Sequence, residues 1–350
     1  MGESTVKIVK LSPALAIALA AALCATAAQA REQIRIVGSS TVFPFSAAVA
    51  ERFGKTTSFK TPVVESTGSG GGLKLFCTGS GLDTPDIANA SRRIKSSEVD
   101  LCAKNGVTEI VEIRIGFDGI VIANAKSQPQ LSLTLEQIFQ GLAKQVPLNG
   151  KLVDNPYERW SEIDASLPDQ AIRVLGPPPT SGTRDAFVEL AMEGGAKKFP
   201  MLAALKKSDK KKFKAVAHAI REDGAYVEAG ENDNLIVKKL EANRESLGIF
   251  GFSFLDQNAD KIQGSLVDGN VPSFDAIASG KYAVSRSLYF YVKKSHVGKV
   301  PGLQGYIAEF TSEGAAGEEG YLADRGLIPL ADSDRKLVRS TGKDLDLLEM

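Results

Sequence analysis

The chain is 350 residues long and contains 42 basic and 42 acidic side chains, so its formal net charge is zero. A balanced charge gives no overall field that would attract nucleic acid or anionic lipid, so any preference for an anion must come from a local site. The length suits two domains of ordinary size, each with its own hydrophobic core.

Residues 1–30 have the features of an export signal. Lys7 and Lys10 precede an apolar, alanine-rich run over residues 11–23, and residues 28–30 match the A-x-A pattern of a cleavage site. We therefore expect residues 1–30 to be a cleaved signal peptide and the mature protein to lie in the periplasm.

Two alternatives to a cleaved signal are weaker. A membrane anchor would need about 20 apolar residues, and the run over residues 11–23 is shorter. Lipidation at Cys24 would require a small residue before the cysteine, and Leu23 stands there instead. We expect the mature chain to begin near Arg31.

Two cysteines, Cys77 and Cys102, remain after the signal. Disulfides persist in an oxidising compartment, so we expect these two residues to be bonded. A metal or redox pair is the alternative, but the spacing is not C-x-x-C, and His218 and His296 are distant in sequence. We expect no metal and no cofactor.

The mature chain repeats a pattern of a β-favouring run, a turn rich in glycine or hydroxyl side chains, and a helix. The three units cover residues 34–53 with a turn at 38–41 and Gly54 as helix end, residues 63–76 with a turn at 68–72, and residues 172–190 with a turn at 180–183. Three such units predict an α/β architecture with parallel strands.

Other segments are consistent with this architecture. Residues 110–115 and 120–123 are predicted to be adjacent buried strands interrupted by the segment 116–119, and residues 288–292 favour a further strand. The helical stretch over residues 196–242 is rich in lysine. Contact with nucleic acid or a membrane is one interpretation of these lysines, but a solvated helix face is more typical, and we expect no nucleic-acid partner.

The three turns together indicate an anion site. Each places hydroxyl side chains and free backbone N–H groups at the start of a helix, where the helix dipole also favours negative charge. Alone, residues 39–41 are better explained as a helix N-cap. Three turns that each follow a strand can converge on one tetrahedral anion at the carboxyl ends of the strands.

Three charged residues are further candidates for this site. Arg92 follows the strand-like residues 86–90 and Arg184 begins a helix, so both can offer forked donors, with surface salt bridges as the alternative. Asp118 could accept the proton that phosphate retains at neutral pH and sulfate lacks. Its alternative role is that of a turn-forming residue in an Asp-Gly pair.

Four segments resemble, in order and spacing, the motifs of phosphate-binding proteins of the Pst-type ABC transporter. They are residues 38–44, 67–72, 86–92 and 180–183. The resemblance extends over nearly all of the mature chain. It implies a two-lobed α/β fold of the type II periplasmic binding protein class, with mixed, mostly parallel sheets and two crossover strands. We expect lobe 1 to comprise residues 31–117 and 286–350, and lobe 2 to comprise residues 118–285.

The resemblance also implies a set of phosphate-binding residues. Matched to the motifs and joined to the charged candidates, they are Ser40, Thr41, Val42, Phe43, Ser69, Arg92, Asp118, Ser181, Gly182, Thr183 and Arg184. Two positions depart from the family pattern. Arg92 stands where the best-known members have an aspartate, and prolines 177–179 replace an arginine shortly before the third turn. Our hypothesis is that Arg92 supplies the cation and Asp118 the proton acceptor.

We expect the lobes to close on inorganic phosphate by a hinge at residues 116–119 and 285–288. We also expect a monomer, because a membrane permease must recognise the closed form of one molecule when phosphate is delivered to it. An enzyme, such as a phosphatase, is a weaker interpretation because the chain has no P-loop, H-E-x-x-H or G-x-S-x-G motif. A binder of another oxyanion, such as sulfate or molybdate, or an envelope scaffold or adhesin on the same fold remains the alternative.

Overall fold

A computed structural model describes residues 31–230 and 233–350. The predicted signal peptide over residues 1–30 lies outside this part of the chain. Within the described ranges, no helix combines the length and the apolar character needed to cross a membrane.

The strands, in chain order, are β1 (Arg35–Gly38), β2 (Val63–Ser66), β3 (Ile87–Ala90), β4 (Ile110–Ala125), β5 (Ser132–Leu133), β6 (Gln145–Leu148), β7 (Lys151–Asp154), β8 (Val174–Gly176), β9 (Tyr226–Glu228), β10 (Leu247–Gly251), β11 (Ile262–Gly264), β12 (Leu266–Val267) and β13 (Ser285–Lys293). Most of them form one long sheet in the order β2-β1-β3-β13-β4-β10-β8-β9, with β11 also paired to β4. The pairs β5/β12 and β6/β7 form two small sheets.

The helices pack on this sheet and connect its strands. They are α1 (Phe43–Thr56), α2 (Ser69–Phe76), α3 (Ser96–Lys104), α4 (Leu135–Leu142), α5 (Trp160–Ile163), α6 (Gly182–Phe187), α7 (Glu193–Ala196), α8 (Pro200–Ser208), α9 (Lys210–Ala217), α10 (Asp233–Ala242), α11 (Phe252–Gln257), α12 (Phe274–Ala278), α13 (Leu303–Phe310), α14 (Glu313–Ala316) and α15 (Asp332–Asp344). A π-helical segment (Val188–Met192) joins α6 to α7, and short 3₁₀ turns cover Lys294–His296 and Ala323–Arg325.

The strand directions make the two halves of the sheet face each other. β1 runs parallel to β2 and β3, and β8 runs parallel to β9 and β10. β4 is antiparallel to both β13 and β10, and β13 is antiparallel to β3. The carboxyl ends of β1, β2 and β3 therefore point towards those of β8 and β10 across the middle of β4. This arrangement confirms the predicted mixed, mostly parallel α/β fold, with β4 and β13 as the crossover strands.

The expected interruption of β4 was wrong. β4 is one continuous strand of 16 residues that includes the segment 116–119. Gly116 has φ +153°, and a Cβ on it would lie 2.5 Å from the carbonyl oxygen of Ile328. Phe117 donates its N–H to that same oxygen at 2.8 Å. The glycine therefore admits a close backbone neighbour and does not mark a turn.

The expected end of α1 at Gly54 was also wrong, because α1 continues to Thr56. A Cβ on Gly54 would lie 2.0 Å from Oγ1 of Thr61. This glycine is needed for close packing of the helix against the segment that precedes β2, and it does not terminate the helix.

Buried side chains form two main apolar groups. One includes Ile36, Phe53, Phe290 and Tyr306 from β1, α1, β13 and α13. The other is built around α4, α6 and the neighbouring strands of the second half of the sheet. The exact lobe boundaries at residues 117/118 and 285/286 stay a prediction.

The expected disulfide is present. Cys77 and Cys102 are bonded, and both side chains are fully buried. The bond links the residue that follows α2 to the last turn of α3, so it ties the helix that begins at Ser69 to its neighbour.

Candidate anion-binding site

The first turn lies between β1 and α1, and its backbone is fixed by the end of β3. Gly38 has φ +133°, and a Cβ there would lie 2.1 Å from the carbonyl oxygen of Asn89, so only glycine allows this approach. Ser39 donates its N–H to that oxygen at 3.0 Å. Ser39 also accepts bonds from the next residues: the Val42 N–H reaches its Oγ at 3.4 Å and the Phe43 N–H reaches its carbonyl at 3.0 Å.

The second turn adjoins the first. Thr67 donates its N–H to the carbonyl oxygen of Gly38 at 2.8 Å. A Cβ on Gly72 would lie 2.3 Å from the Cα of Gly38, so α2 packs directly on the end of β1. Ser69 Oγ accepts the Ser91 N–H at 3.0 Å and lies 3.1 Å from Ser91 Oγ. The turns that follow β1, β2 and β3 are therefore neighbours.

The third turn meets the first from the opposite half of the sheet. Ser181 caps α6, because its Oγ accepts the Thr183 N–H at 3.2 Å. A Cβ on Gly182 would lie 3.5 Å from the carbonyl oxygen of Ser40 and 3.6 Å from the Cα of Thr41. The turn after β8 thus lies in contact distance of the turn after β1.

A direct side-chain bond also joins these two turns. Ser40 Oγ donates to Oδ2 of Asp185, in the first turn of α6, at 3.0 Å. The structure therefore brings Ser40 and Thr41 next to Gly182, and Ser69 adjoins the same region through the packing of α2 on Gly38. Whether these residues are the ligands of one anion stays a prediction.

Sequence reasoning missed the cation at the centre of this region. Arg286 on β13 is the register partner of Asp118 on β4. Its Nε donates to Asp118 Oδ2 at 3.3 Å, its Nη2 to Thr41 Oγ1 at 2.6 Å, and its Nη1 to Glu189 Oε2 at 2.7 Å. Its side chain is 10% exposed. Arg286 therefore links the first turn, the crossover strands and the helical segment after the third turn.

One signal in the sequence could have identified Arg286. It lies within residues 285–288, a segment expected to cross between the lobes, and it is a charged residue beside a strongly β-favouring run. A buried charge in such a strand requires a partner, which is provided here by the Asp118 carboxylate.

The environment of Asp118 shifts its protonation equilibrium. Burial raises the pKa of the Asp118 carboxyl above its ordinary value, and the Arg286 guanidinium offsets part of this effect. Asp118 therefore has a higher proton affinity than an exposed aspartate, beside a cation that accepts no proton.

The two arginines predicted for the site have partners within their own halves of the sheet. Arg92 donates to both carboxylate oxygens of Glu98, at 2.9 and 2.7 Å, and this pairing raises the pKa of the Arg92 guanidinium. Arg184 donates to the carbonyl of Pro177 at 3.2 Å and lies over the ring of Tyr226 at 4.5 Å. Their roles as phosphate ligands stay predictions.

No group of three or more His, Cys, Asp or Glu side chains with the arrangement of a metal site occurs in residues 31–230 and 233–350.

Comparisons with known proteins agree with this architecture. The model of the PBP superfamily domain matches residues 25–314. Protein SphX of Synechococcus elongatus is 34% identical over 263 residues, which cover 73% of this chain and 67% of that protein. The phosphate-binding protein PstS of Staphylococcus saprophyticus is 28% identical over 322 residues, which cover 88% of this chain and 85% of that protein.

A solved structure of a possible phosphate binding protein is also similar to this chain. The crystal structure of a possible phosphate binding protein from Planctomyces limnophilus matches with a TM-score of 0.69 and 25% identity, and the match covers 89% of this chain and 98% of that chain. The family resemblance and the two-lobed fold expected from the sequence are thereby confirmed. The chain belongs to the PBP superfamily, a family of substrate-binding proteins and not of enzymes.

Proposed function

We propose that this protein captures inorganic phosphate between its two lobes and delivers it to the membrane permease of an ABC transporter. One observation supports this proposal most strongly: the helix start at Gly182 lies against the first turn at Ser40 and Thr41. The two turns follow strands of opposite halves of the sheet, and Arg286 donates to Thr41 beside them. An oxyanion bound beside both turns would receive donors from both lobes.

The donors in this region are already suited to negatively charged oxygen. Ser40 Oγ and Arg286 both donate to carboxylate oxygens, those of Asp185 and Glu189. Charge-assisted bonds of this kind are about twice as strong as neutral ones. The Val42 and Phe43 N–H groups bond to Ser39 within the turn, so the hydroxyls and Arg286 take a larger share of the proposed site than the backbone does.

The remaining predicted ligands complete the proposal. Ser69, Ser181 and Thr183 would add hydroxyls at the helix starts, and Arg92 and Arg184 would add positive charge at the rim. Asp118 would accept the proton of phosphate through its carboxylate. The raised pKa of Asp118 favours such a shared proton, which sulfate cannot supply.

The names of two similar proteins support phosphate as the ligand. The similar proteins from Staphylococcus saprophyticus and Planctomyces limnophilus are described as a phosphate-binding protein and a possible phosphate binding protein. We extend that ligand to this chain, together with export to the periplasm and signal cleavage before Arg31. We also propose a monomer whose lobes, residues 31–117 with 286–350 and residues 118–285, close about residues 116–119 and 285–288.

Isothermal titration of the mature protein with phosphate, arsenate, sulfate and molybdate tests the ligand. We expect saturable binding of one phosphate per chain and much weaker binding of sulfate and molybdate. Tighter binding of sulfate or molybdate would identify the protein as a binder of that other oxyanion. Absence of heat with all four anions would favour a scaffold on the same fold.

A further inference from the structure

Two carboxylates of one helical segment occupy donors of the proposed site. Asp185 lies in α6 and Glu189 lies in the π-helical segment that follows it, about one helical turn away. Asp185 Oδ2 accepts from Ser40 Oγ at 3.0 Å. Glu189 Oε2 accepts from Arg286 Nη1 at 2.7 Å. Each carboxylate thus receives a hydrogen bond that the proposed function assigns to a phosphate oxygen.

A bound phosphate and these contacts oppose each other. Arg286 has a planar fork of five N–H donors in fixed directions, and Glu189 takes one of the two on Nη1. A phosphate beside Arg286 would also lie close to the negative charge of Glu189, and like charges at short range disfavour binding. Phosphate entry therefore favours release of Glu189 from Arg286.

Glu189 already has a second partner outside the site. Lys214 Nζ on α9 lies 3.7 Å from the other carboxylate oxygen, Oε1. The Glu189 side chain is 43% exposed, in contrast to the 10% of Arg286. A side chain with this exposure and a second cation in reach can leave Arg286 without burying an unpaired charge. π-helical segments also occur often at functional sites.

We propose that Glu189 is a built-in competitor of phosphate. It pairs with both Arg286 and Lys214 before phosphate binds, and it gives up Arg286 and keeps Lys214 when phosphate binds. Asp185 holds Ser40 in the same way. This inference rests on the proposed function. It implies that the affinity for phosphate is set partly by the fraction of molecules in which Arg286 is free of Glu189.

Two other roles of Glu189 give different results on mutation. If Glu189 accepted the proton of phosphate, its loss would weaken binding. If it acted only through its charge, a shorter residue with the same charge would behave like the native one. Glu189→Asp tests this second role, because aspartate keeps the charge and lacks the length to reach Arg286 in the same way.

The experiment is calorimetric titration of phosphate into the wild-type protein, Glu189→Gln, Glu189→Asp and the control Glu222→Gln. Glu222 is an exposed acidic residue of the predicted lobe 2 that pairs with Lys144 at 3.6 Å. We expect both Glu189 variants to lower the Kd for phosphate by roughly tenfold, which corresponds to about one competent molecule in ten in the wild type. The control should change the Kd by less than about twofold, because distant exposed charges are screened.

Three results would contradict these proposals. An unchanged or higher Kd in both Glu189 variants overturns the competitor. A lower Kd in Glu189→Gln alone overturns it in favour of charge repulsion without contact. A wild-type protein that binds no phosphate overturns the proposed function itself, which is a separate failure. Thermal unfolding of each variant identifies any loss of folding.

Discussion

Arg286 on one crossover strand lies directly opposite Asp118 on the other, and its Nε donates to the Asp118 carboxylate at 3.3 Å. The guanidinium is thereby held where the two lobes meet, with a further donor on Thr41. A cation fixed on the crossover strands can bind a ligand that contacts both lobes. Arg92 and Arg184, in contrast, each bond to a partner within their own half of the sheet.

Replacing Arg286 tests whether it is the main cation of the site. We expect Arg286→Gln to weaken phosphate binding on the order of 100-fold or more, because truncating a buried hydrogen-bonded charge typically costs about 2 to 5 kcal/mol. Arg93→Gln is the matched control, since Arg93 is exposed and pairs with Glu112 at 3.0 Å. Calorimetry measures both variants. If Arg286→Gln bound phosphate as tightly as Arg93→Gln and the wild type, Arg286 would have only a structural role.

Asp118→Asn tests the source of selectivity. The amide cannot accept the proton of phosphate in the same way, so we expect the preference for phosphate over sulfate to be lost while some anion binding persists. The measurement is the ratio of the Kd for sulfate to the Kd for phosphate. An unchanged ratio would refute the assignment of Asp118 as the proton acceptor.

Removing the disulfide should lower stability. Cys77 and Cys102 are 25 positions apart, and closing a loop of this length stabilises the folded state by ~3 kcal/mol in the chain-entropy model. We expect the double variant Cys77→Ser/Cys102→Ser to have a free energy of unfolding lower than that of the wild type by ~3 kcal/mol. Urea denaturation measures this difference. A loss below about 0.5 kcal/mol would mean that the reduced chain is already constrained.

We expect Lys293 to make the free energy of unfolding change with pH in the alkaline range. Its Nζ donates to the Gly79 carbonyl at 2.7 Å and to Thr84 Oγ1 at 2.5 Å, and burial lowers the pKa of Lys293 to about 8. An unfolded lysine has a pKa of about 10.4, so between these two values the folded state binds fewer protons than the unfolded state. The contribution of this group to the free energy of unfolding therefore rises with pH in that window.

The corresponding measurement compares urea denaturation of the wild type and of Lys293→Met at about pH 7.5 and about pH 9.5. We expect the wild type to gain stability relative to the variant as the pH rises. The variant removes the titrating group, so other lysines and tyrosines contribute equally to both proteins. Parallel changes in the two proteins would contradict a lowered pKa for Lys293.

Much of the fold could be predicted from the sequence because its signals are local. The spacing of apolar residues and the glycine and hydroxyl residues of the turns predict the units of strand, turn and helix. In the structure, helices begin after these turns at Phe43, Ser69 and Gly182. The pairing of Cys77 with Cys102 followed from the count of cysteines in an exported chain. These features depend on neighbouring residues or on very few possible pairs.

The features that were missed depend on contacts between distant segments. Arg286 and Thr41 are 245 positions apart, and Arg286 and Asp118 are 168 apart, so no local pattern connects them. The continuity of β4 was missed for the same reason. Gly116 resembles a turn residue until the backbone of Ile328 is seen beside it. The composition of the sequence identified the turns. The partner of each charged side chain could be identified only from the folded structure, in which distant segments pack together.

The most direct test of a phosphate site between the two lobes is a crystal structure of the mature protein grown with phosphate. We predict one phosphate between the lobes, within hydrogen-bond distance of the Ser40 and Thr41 hydroxyls, the Arg286 guanidinium and the helix start at residues 181–183. A phosphate bound to a single turn, or outside the space between these groups, would contradict it.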